Sequence, residues 1–350
     1  MRPSTRKPGS GGDSERVNPR PTQKDIALAA GVSQAAVSLV LNKSETPSVP
    51  DATRARILKL AGEMGYQPHH PARMLRRART MALACVVPDI TNPFYPGLVR
   101  GVQSVAAPAG YDVLMFDTDG REEGEARAMS WLLQGRADGV VGTFFHLRVP
   151  ELAALAAQNV PIVRLESRHK AGGDLPIDSV YVDNAEASAA MTRYLIERGH
   201  RRIVMIQAEV GPSRQRALGY ASVMRAAGLA VDVVTDSRYS EESGARAMNE
   251  ILARKRDRPT AVFGANDMLA VGAMVFARSA GLSVPGDIAI AGFDDIPAAK
   301  LLGLTTVRQP EFDLGALAAR TLVERLEPGG LTGGGQSLEL KFEIMKRSSA

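Results

Sequence analysis

The sequence predicts an α/β protein with a small helical head and a body of two doubly wound lobes. Three observations carry that expectation. From residue 81 onward, short β-rich apolar runs alternate with amphipathic helical stretches, the pattern of parallel sheets covered by helices. Ten strand candidates are many for one sheet, and two lobes of about 100 to 150 residues each fit ordinary domain sizes better. Positive charge, by contrast, is concentrated at the start. Residues 1–80 hold 14 Lys plus Arg against 6 Asp plus Glu, whereas the remaining 270 residues hold 29 against 32. A basic end on a near-neutral body points to a nucleic-acid-binding module.

Residues 1–20 are rich in Pro, Gly, Ser and Arg and contain no apolar cluster, so a disordered leader is expected. The head then spans 21–66. In "PTQKDIALAA" Thr22 offers an N-cap, and Ile26 and Ala30 stand four apart. Gly31 suits the left-handed end of that helix, and Ser33 caps a second one, "QAAVSLVL", whose Val37, Val40 and Leu41 share a core face. Its other face, Gln34, Ala35 and Ser38, is short enough to let a backbone approach something closely. Helix, tight glycine turn, helix is the shape of a helix-turn-helix, but also of an ordinary helical hairpin with a solvated face. Those residues alone leave the two readings level, and the charge asymmetry favours the first. After a loop with two prolines, Asp51 is expected to cap a third helix whose Ile57, Leu60, Ala61 and Met64 form one stripe. Gly65 ends it, and Pro68 and Pro71 keep it from continuing. Residues 67–80 form a hinge: "ARMLRRAR" has helical composition but is too short to be stable alone in water. A passive basic linker is the plainer reading of it.

The body, 81–350, carries the strand candidates "LACVVPD", "YDVLMFDT", "DGVVGTFF", "VPIVRLE", "SVYVDN", "RRIVMIQ", "VDVVTD", "TAVFGAN", "DIAIAGFDD" and "TTVRQP", with helical stretches between them. Chain crossings between the lobes are expected near 181 and 307. In open α/β sheets ligands bind beyond the carboxyl ends of strands. Those ends read Asp89, Asn92 and Phe94; Phe144 and His146; Glu166; Asn266 and Asp267; and Asp294 and Asp295. Polar groups with an occasional aromatic suit a hydroxyl-rich small molecule in a cleft. Helix capping is the competing account, and a strong one for Asn92, Asp183 and Asp267.

Several classes are disfavoured. The lone cysteine, Cys85, sits in "MALACVV" and reads as a buried strand residue rather than a nucleophile. No run approaches the roughly 18 apolar residues of a membrane span, and the arginines near the start precede no apolar segment of a signal peptide. A cytoplasmic protein is expected. There is no Walker A sequence, HExxH, GxSxG or complete dinucleotide fingerprint, and "GGLTGGGQ" at 329–336 reads as a loop. His69 and His70 are adjacent and His146, His169 and His200 scattered, so no metal-ligand spacing arises. Asp294 and Asp295 are neighbours, which usually point to different sides. Neither a catalytic constellation nor a cofactor site is expected.

At this point the chain resembles the lactose-repressor and galactose-repressor family of bacterial transcription regulators, over residues 22–348. "TQKDIALAAGVSQAAVSLVLN" is similar to the family's helix-turn-helix and "GYQPHHPARMLRRART" to its hinge. "VVPDITNPFY", "DGVV", "VPIVRLE", "VDN", "RGHRRI", "RALGY", "FGANDMLAVGA", "VPGDIAIAGFDD", "LTTVRQP" and "MKRSS" resemble its effector-binding body. One such motif is weak; the ordered series is specific. The resemblance implies a head, a hinge and a two-lobed body like that of periplasmic sugar-binding proteins, acting as a homodimer on a palindromic operator. It places Gln34, Ala35 and Leu39 at the base-reading positions and Thr22, Ser33, Ser38 and Asn42 on phosphates. Leu39 stands where many members have arginine and Ala36 where many have threonine, so the operator should differ there. Leu75 resembles the hinge leucine inserted into the minor groove. In the body, Arg216 resembles the arginine that contacts the effector, with five donors in a fixed fork. Asp89, Asn92, Asn266, Asp294 and Gln309 are similar to pocket positions, and Phe94 and Tyr239 supply an apolar wall or pack in the core. A sugar is the first expectation for the effector, with a purine, another metabolite or a protein as alternatives. Two readings remain at this stage: a ligand-responsive DNA-binding regulator, or a solute-binding protein or enzyme sharing only the two-lobed body. The basic head and the missing signal peptide favour the first. After Arg347 there are no leucine heptads, so no coiled-coil tetramer is expected.

Overall fold

The computed structural model describes residues 21–41, 49–66, 79–165, 175–254 and 258–350. It divides into two compact units, Met1–Ala78 and Arg79–Ala350. The leader, Asn42, the hinge with Leu75, His69 and His70, Glu166 and His169 lie outside the described residues.

In the first unit, α1 (Gln23–Ala30) is capped at both ends. The Thr22 hydroxyl accepts from the Asp25 amide while the Asp25 carboxylate accepts from the Thr22 amide at 2.8 Å, so two otherwise orphaned donors are satisfied reciprocally. Gly31 ends α1 at φ 61°, a conformation that costs glycine nothing. The Ser33 hydroxyl then accepts from the Ala36 amide and starts α2 (Gln34–Leu41), whose axis turns by 110° from that of α1. That angle falls in the range of the DNA-binding motif. A third helix, α3 (Asp51–Glu63), closes a core of Ile26, Ala27, Ala30, Val37, Val40, Val49, Ile57 and Ala61. Asp51 is not its cap: Pro50 holds the capping position, and Asp51 is the first helical residue, where its charge faces the positive end of the helix.

The second unit contains two six-stranded sheets. Lobe 1 is built from β1 (Ala82–Val87), α4 (Phe94–Ala106), β2 (Asp112–Asp117), α5 (Glu122–Leu133), β3 (Gly139–Gly142), α6 (Val149–Ala156), β4 (Ile162–Leu165) and β5 (Ile177–Tyr181). Lobe 2 contains α7 (Asn184–Glu197), β6 (Ile203–Ala208), α8 (Ser213–Ala226), β7 (Asp232–Asp236), α9 (Glu241–Ala253), β8 (Ala261–Gly264), α10 (Asp267–Ser279), β9 (Ala289–Asp294), α11 (Pro297–Leu302) and β10 (Thr305–Arg308). The chain then returns to lobe 1 as α12 (Glu311–Leu326), which packs on α4 so closely that Gly101 and Gly315 have no room for a side chain. Two short strands follow, β11 (Ser337–Glu339) beside β5 and β12 (Glu343–Met345) antiparallel to β10. The chain therefore passes between the sheets after β5, after β10 and again after β11. The last passage has no counterpart in the sequence reading.

The sheet orders are β11-β5-β4-β3-β1-β2 and β12-β10-β9-β8-β6-β7, parallel except at β12. In each lobe the order reverses at the first strand, which opens a crevice at the carboxyl ends of β1 and β3 in one sheet and of β6 and β8 in the other. Central strands such as β1, buried at all six positions, are apolar throughout, as strands covered on both faces must be. Cys85 is one of them; burial pushes its thiol up to about 12, which leaves it protonated and inert. No single helix among the described residues is long and apolar enough to cross a membrane.

Candidate functional site

The head presents one surface suited to a partner. On α2, Val37 and Val40 are buried while Gln34, Ala35 and Leu39 are exposed, so the helix divides between a core stripe and a short-chained outer face. Ser38 is half-buried on the same helix. Thr22 and Ser33 both act as helix caps, with their oxygens close to the amides at the starts of α1 and α2. Those helix starts leave further amides pointing outward, which favours anionic groups.

In the body, the loops beyond the strand ends of both lobes enclose two adjoining spaces. An inner chamber of about 20 Å³ is lined by Asn92, Phe94, Tyr95, Phe145, Pro212, Arg216, Tyr239, Asn266 and Asp294. It is roomy enough for about one water molecule. Outside it lies a cleft of about 430 Å³, whose walls include Asp89, Thr91 and Arg121 from lobe 1 and Arg238, Tyr239 and Glu242 from lobe 2. Asn92, Tyr95, Phe145 and Tyr239 border both.

Arg216 is the centre of the inner chamber. It projects from α8 and is 2% exposed. Its Nε donates to Asn184 Oδ1 at 2.7 Å and its Nη1 to the Ala265 carbonyl at 2.6 Å. Nη2 stands 3.5 Å from Asp294 Oδ1, and the guanidinium lies 3.7 Å over the Phe293 ring. An arginine held on three sides is rigid, so its fork has a fixed direction. The Asp294 carboxylate also accepts from Gln309 Nε2 at 2.7 Å. Burial pushes the Asp294 pKa up to about 6, and the Arg216 charge and the Gln309 hydrogen bond only partly counter that. Desolvation wins here over the ion pair.

Asn266 caps α10 through its side-chain oxygen, which accepts from the Leu269 amide at 3.0 Å. Its Nδ2 is buried and has no hydrogen-bond partner among the described residues. A buried amide donor left unmade is costly, and here it borders the chamber. Tyr239 is anchored rather than adrift: its hydroxyl accepts from the Ser213 amide at 2.9 Å and lies 2.7 Å from the Ser213 hydroxyl.

The sequence-derived residues fare unevenly. Arg216, Asn266, Asp294, Asn92, Phe94 and Tyr239 line the inner chamber. Asp89 borders only the outer cleft, its carboxylate accepting from the Thr91 amide and hydroxyl. Gln309 does not line either space and reaches the site through Asp294. Asn92 is not the cap of α4, a position held by Pro93, but its side chain accepts from the Phe94 amide at 3.1 Å and so steadies the helix start. Asp183 caps α7. Asp267 does not cap α10; Asn266 does. Asp267 is instead fully buried, accepting from the Ile296 amide and the Thr306 hydroxyl, and burial together with the nearby Asp294 charge raises its pKa well above the ordinary value. Of the two aromatics ending "DGVVGTFF", it is Phe145 that borders the cleft, while Phe144 packs against the lobe 1 core. The strand stops at Gly142, three residues earlier than the apolar run suggests. Tyr95 and Asn184 were also missed, although they stand in the quoted "NPFY" and "VDN". No cluster of metal-ligating side chains occurs among the described residues.

Comparison with known proteins separates the two readings left open by the sequence. Residues 22–69 match the family model described as "Bacterial regulatory proteins, lacI family", and residues 80–327 match "Periplasmic binding proteins and sugar binding domain of LacI family". The chain belongs to the LacI family. It is 34% identical over 337 residues to the ribose operon repressor of Escherichia coli K12, covering 94% of this chain and 99% of that protein. Among solved structures, the transcriptional regulator CelR–cellobiose complex shares 30% identity, with a TM-score of 0.68 and coverage of 95% and 100%. The lac repressor dimer bound to operator and the anti-inducer ONPF shares 25% identity, with a TM-score of 0.80 and coverage of 94% and 98%. This LacI-family chain is thus a sequence-specific DNA-binding transcription regulator, and a solute-binding protein or enzyme with only the two-lobed body is excluded by the matched head.

Proposed function

We propose that this regulator is a homodimeric repressor whose operator affinity is set by a sugar held between the lobes, around Arg216. The observation that carries the proposal is the pairing of a fixed, buried guanidinium with an unpartnered buried amide, Asn266 Nδ2, at the wall of the same chamber. Arg216 and Asn266 offer donors and Asp294 an acceptor, the set that vicinal hydroxyls satisfy. Aromatic rings of Phe94, Tyr95 and Tyr239 supply apolar faces for the C–H side of a pyranose or furanose. The cellobiose complex of one relative and the ribose-operon role of another support a carbohydrate. Asp89 would contact the outer part of the ligand and Gln309 would hold Asp294 in place.

In the head, Gln34, Ala35 and Leu39 are proposed to read bases in the major groove, with Thr22, Ser33, Ser38 and Asn42 on phosphates. The operator-bound dimer of a relative supports a palindromic site read by two heads. Leu75 is proposed as the minor-groove wedge.

A fluorescence-anisotropy titration of the full chain on DNA from upstream of its own gene tests this, with ribose, cellobiose and other mono- and disaccharides added in turn. One of them should shift operator affinity by roughly tenfold or more, the usual scale of allosteric coupling. An unshifted titration across the panel would remove carbohydrates as the effector class.

A further inference from the structure

Phe145 borders both the inner chamber and the outer cleft, and it is held from both lobes. Its ring reaches from lobe 1 to lobe 2. A Cβ added at Gly211 of lobe 2 would stand 2.7 Å from the ring, and one added at Gly120 of lobe 1 would stand 3.7 Å away. The ring therefore lies between two glycine backbones, both at positive φ, and its centroid is 6.5 Å from that of Tyr239 with the planes tilted by 50°. A flat ring between two others needs about 7 Å, two contact distances of roughly 3.5 Å, so no third ring fits between this pair as it stands.

The backbone beneath Phe145 is fixed by Glu125 of α5, whose side chain is fully buried. Its carboxylate accepts from three successive amides, Phe145 at 2.6 Å, His146 at 3.1 Å and Leu147 at 2.8 Å. Burying a carboxylate is costly unless it is held by donors, and three charge-assisted hydrogen bonds are a strong hold. The His146 ring donates through Nε2 to the Gly120 carbonyl at 2.9 Å, which ties this loop to the 119–121 turn. From that turn Asp119 reaches across to Arg238 of lobe 2, 3.3 Å away. Glu125 thus holds the 145–147 loop, and through His146 that loop is tied to the 119–121 turn that reaches Arg238.

We propose that Phe145 gates access to the Arg216 chamber and that Glu125 is its positioning residue. The proposal rests on the cleft being the effector site, deepening that reading by naming how a ring gains access to Arg216. Access to Arg216 then requires the Phe145 ring to leave Gly211.

The test needs no effector, so a failure of the gate is distinguishable from a failure of the carbohydrate reading. Phenylglyoxal, a planar reagent for guanidinium groups, is applied to the full chain, and modification of Arg216 is followed by peptide mass spectrometry with exposed Arg278 as internal reference. Amide exchange of 145–147 is measured in parallel. In the wild type Arg216 should react slowly and the three amides should be protected. Phe145→Ala should speed Arg216 modification by roughly tenfold, the scale set by removing a contact of one hydrogen bond's worth. Glu125→Gln should do so as well and release the three amides, because glutamine keeps the volume but turns a donor towards donors. A space-filling role would be preserved by glutamine. Phe144→Ala, which removes the neighbouring aromatic from the lobe 1 core, should leave Arg216 protected. Unchanged Arg216 reactivity in Phe145→Ala, unchanged amide protection in Glu125→Gln, or equal acceleration in Phe144→Ala would each overturn the proposal.

Discussion

Replacing Asp294 with asparagine should make the body more stable at neutral pH while ruining its response to effector. An ordinary aspartate ionises at 3.8, whereas burial lifts Asp294 to about 6 in the folded chain. Between those values the folded state binds more protons than the unfolded state, so stability falls as pH rises from about 4 to about 6 and stays low above that. At about 1.4 kcal/mol per pH unit, the gap of roughly two units corresponds to about 3 kcal/mol lost on ionisation. Asparagine mimics the protonated acid in shape and charge. Its side-chain oxygen can still accept from Gln309, and asparagine tolerates the positive φ of 118° at this position. The variant should therefore gain up to about 3 kcal/mol at pH 7.5 and nearly nothing at pH 4. Urea unfolding followed by circular dichroism at both pH values measures this, provided the m-values match. An asparagine variant no more stable than wild type at pH 7.5 would refute the reasoning, because the 3.5 Å pairing with Arg216 would then outweigh desolvation.

Three further outcomes follow from the proposed sites. Arg216→Ala should abolish effector-dependent change in operator affinity while effector-free operator binding persists, and it should lower body stability by about 3 to 5 kcal/mol because Asp294 and Asn184 lose a buried partner; an intact effector response in anisotropy titrations counts against the site. Gln34→Ala should change the preferred base at one position of each half-site at a cost of about 1 to 3 kcal/mol, whereas Ser38→Ala should weaken all sequences alike; an unaltered motif in binding-site selection would show that another element reads the DNA. Leu75→Ala should reduce operator affinity and operator bending together and spare weak non-specific binding, which comes from the arginines and phosphates; bend angle and affinity measured on one operator decide it.

Much of this architecture is legible in the amino-acid order because it rests on local patterns. Each of the ten quoted apolar runs overlaps one observed strand, and the Thr22 cap, Gly31 turn and Ser33 cap appear where the residue types call for them. The strands β11 and β12 escaped notice for a physical reason. Each is three residues long, half-exposed, and exists only because β5 and β10 present free edges. The helix α12 had a readable stripe in Leu314, Ala318 and Leu322, but its destination, back on lobe 1 against α4, is a tertiary fact. In the site, the sequence pointed to Arg216, Asp294 and Gln309, which the fold brings together, but not to Asn184, which holds the Arg216 Nε. Glu125 is one of three acids in the first turn of α5, and only the fold shows it turned inward to three amides.

The position of Asp294 gives a reason for the site to lie where the chain crosses between lobes. Asp294 and Asp295 both adopt positive φ, 118° and 61°, which costs non-glycine residues energy and persists only under constraint. The constraints come from four directions. Asp267 accepts from the Ile296 amide just beyond the pair, and Gly292 just before it has no side chain, where a Cβ would collide with the Asp267 carboxylate. Arg308 Nε donates to Asp295 at 2.8 Å and Arg347 Nη2 lies 2.6 Å from its other oxygen. Gln309 holds Asp294 itself. Arg308 ends β10 and Gln309 begins the passage to lobe 1, while Arg347 follows the last strand to return to lobe 2. A ligand that pulls on Asp294 therefore pulls on the connection that leaves β10 for lobe 1. If the proposed effector contacts Asp294, these few hydrogen bonds suffice to couple it to lobe geometry, with no need for a longer path.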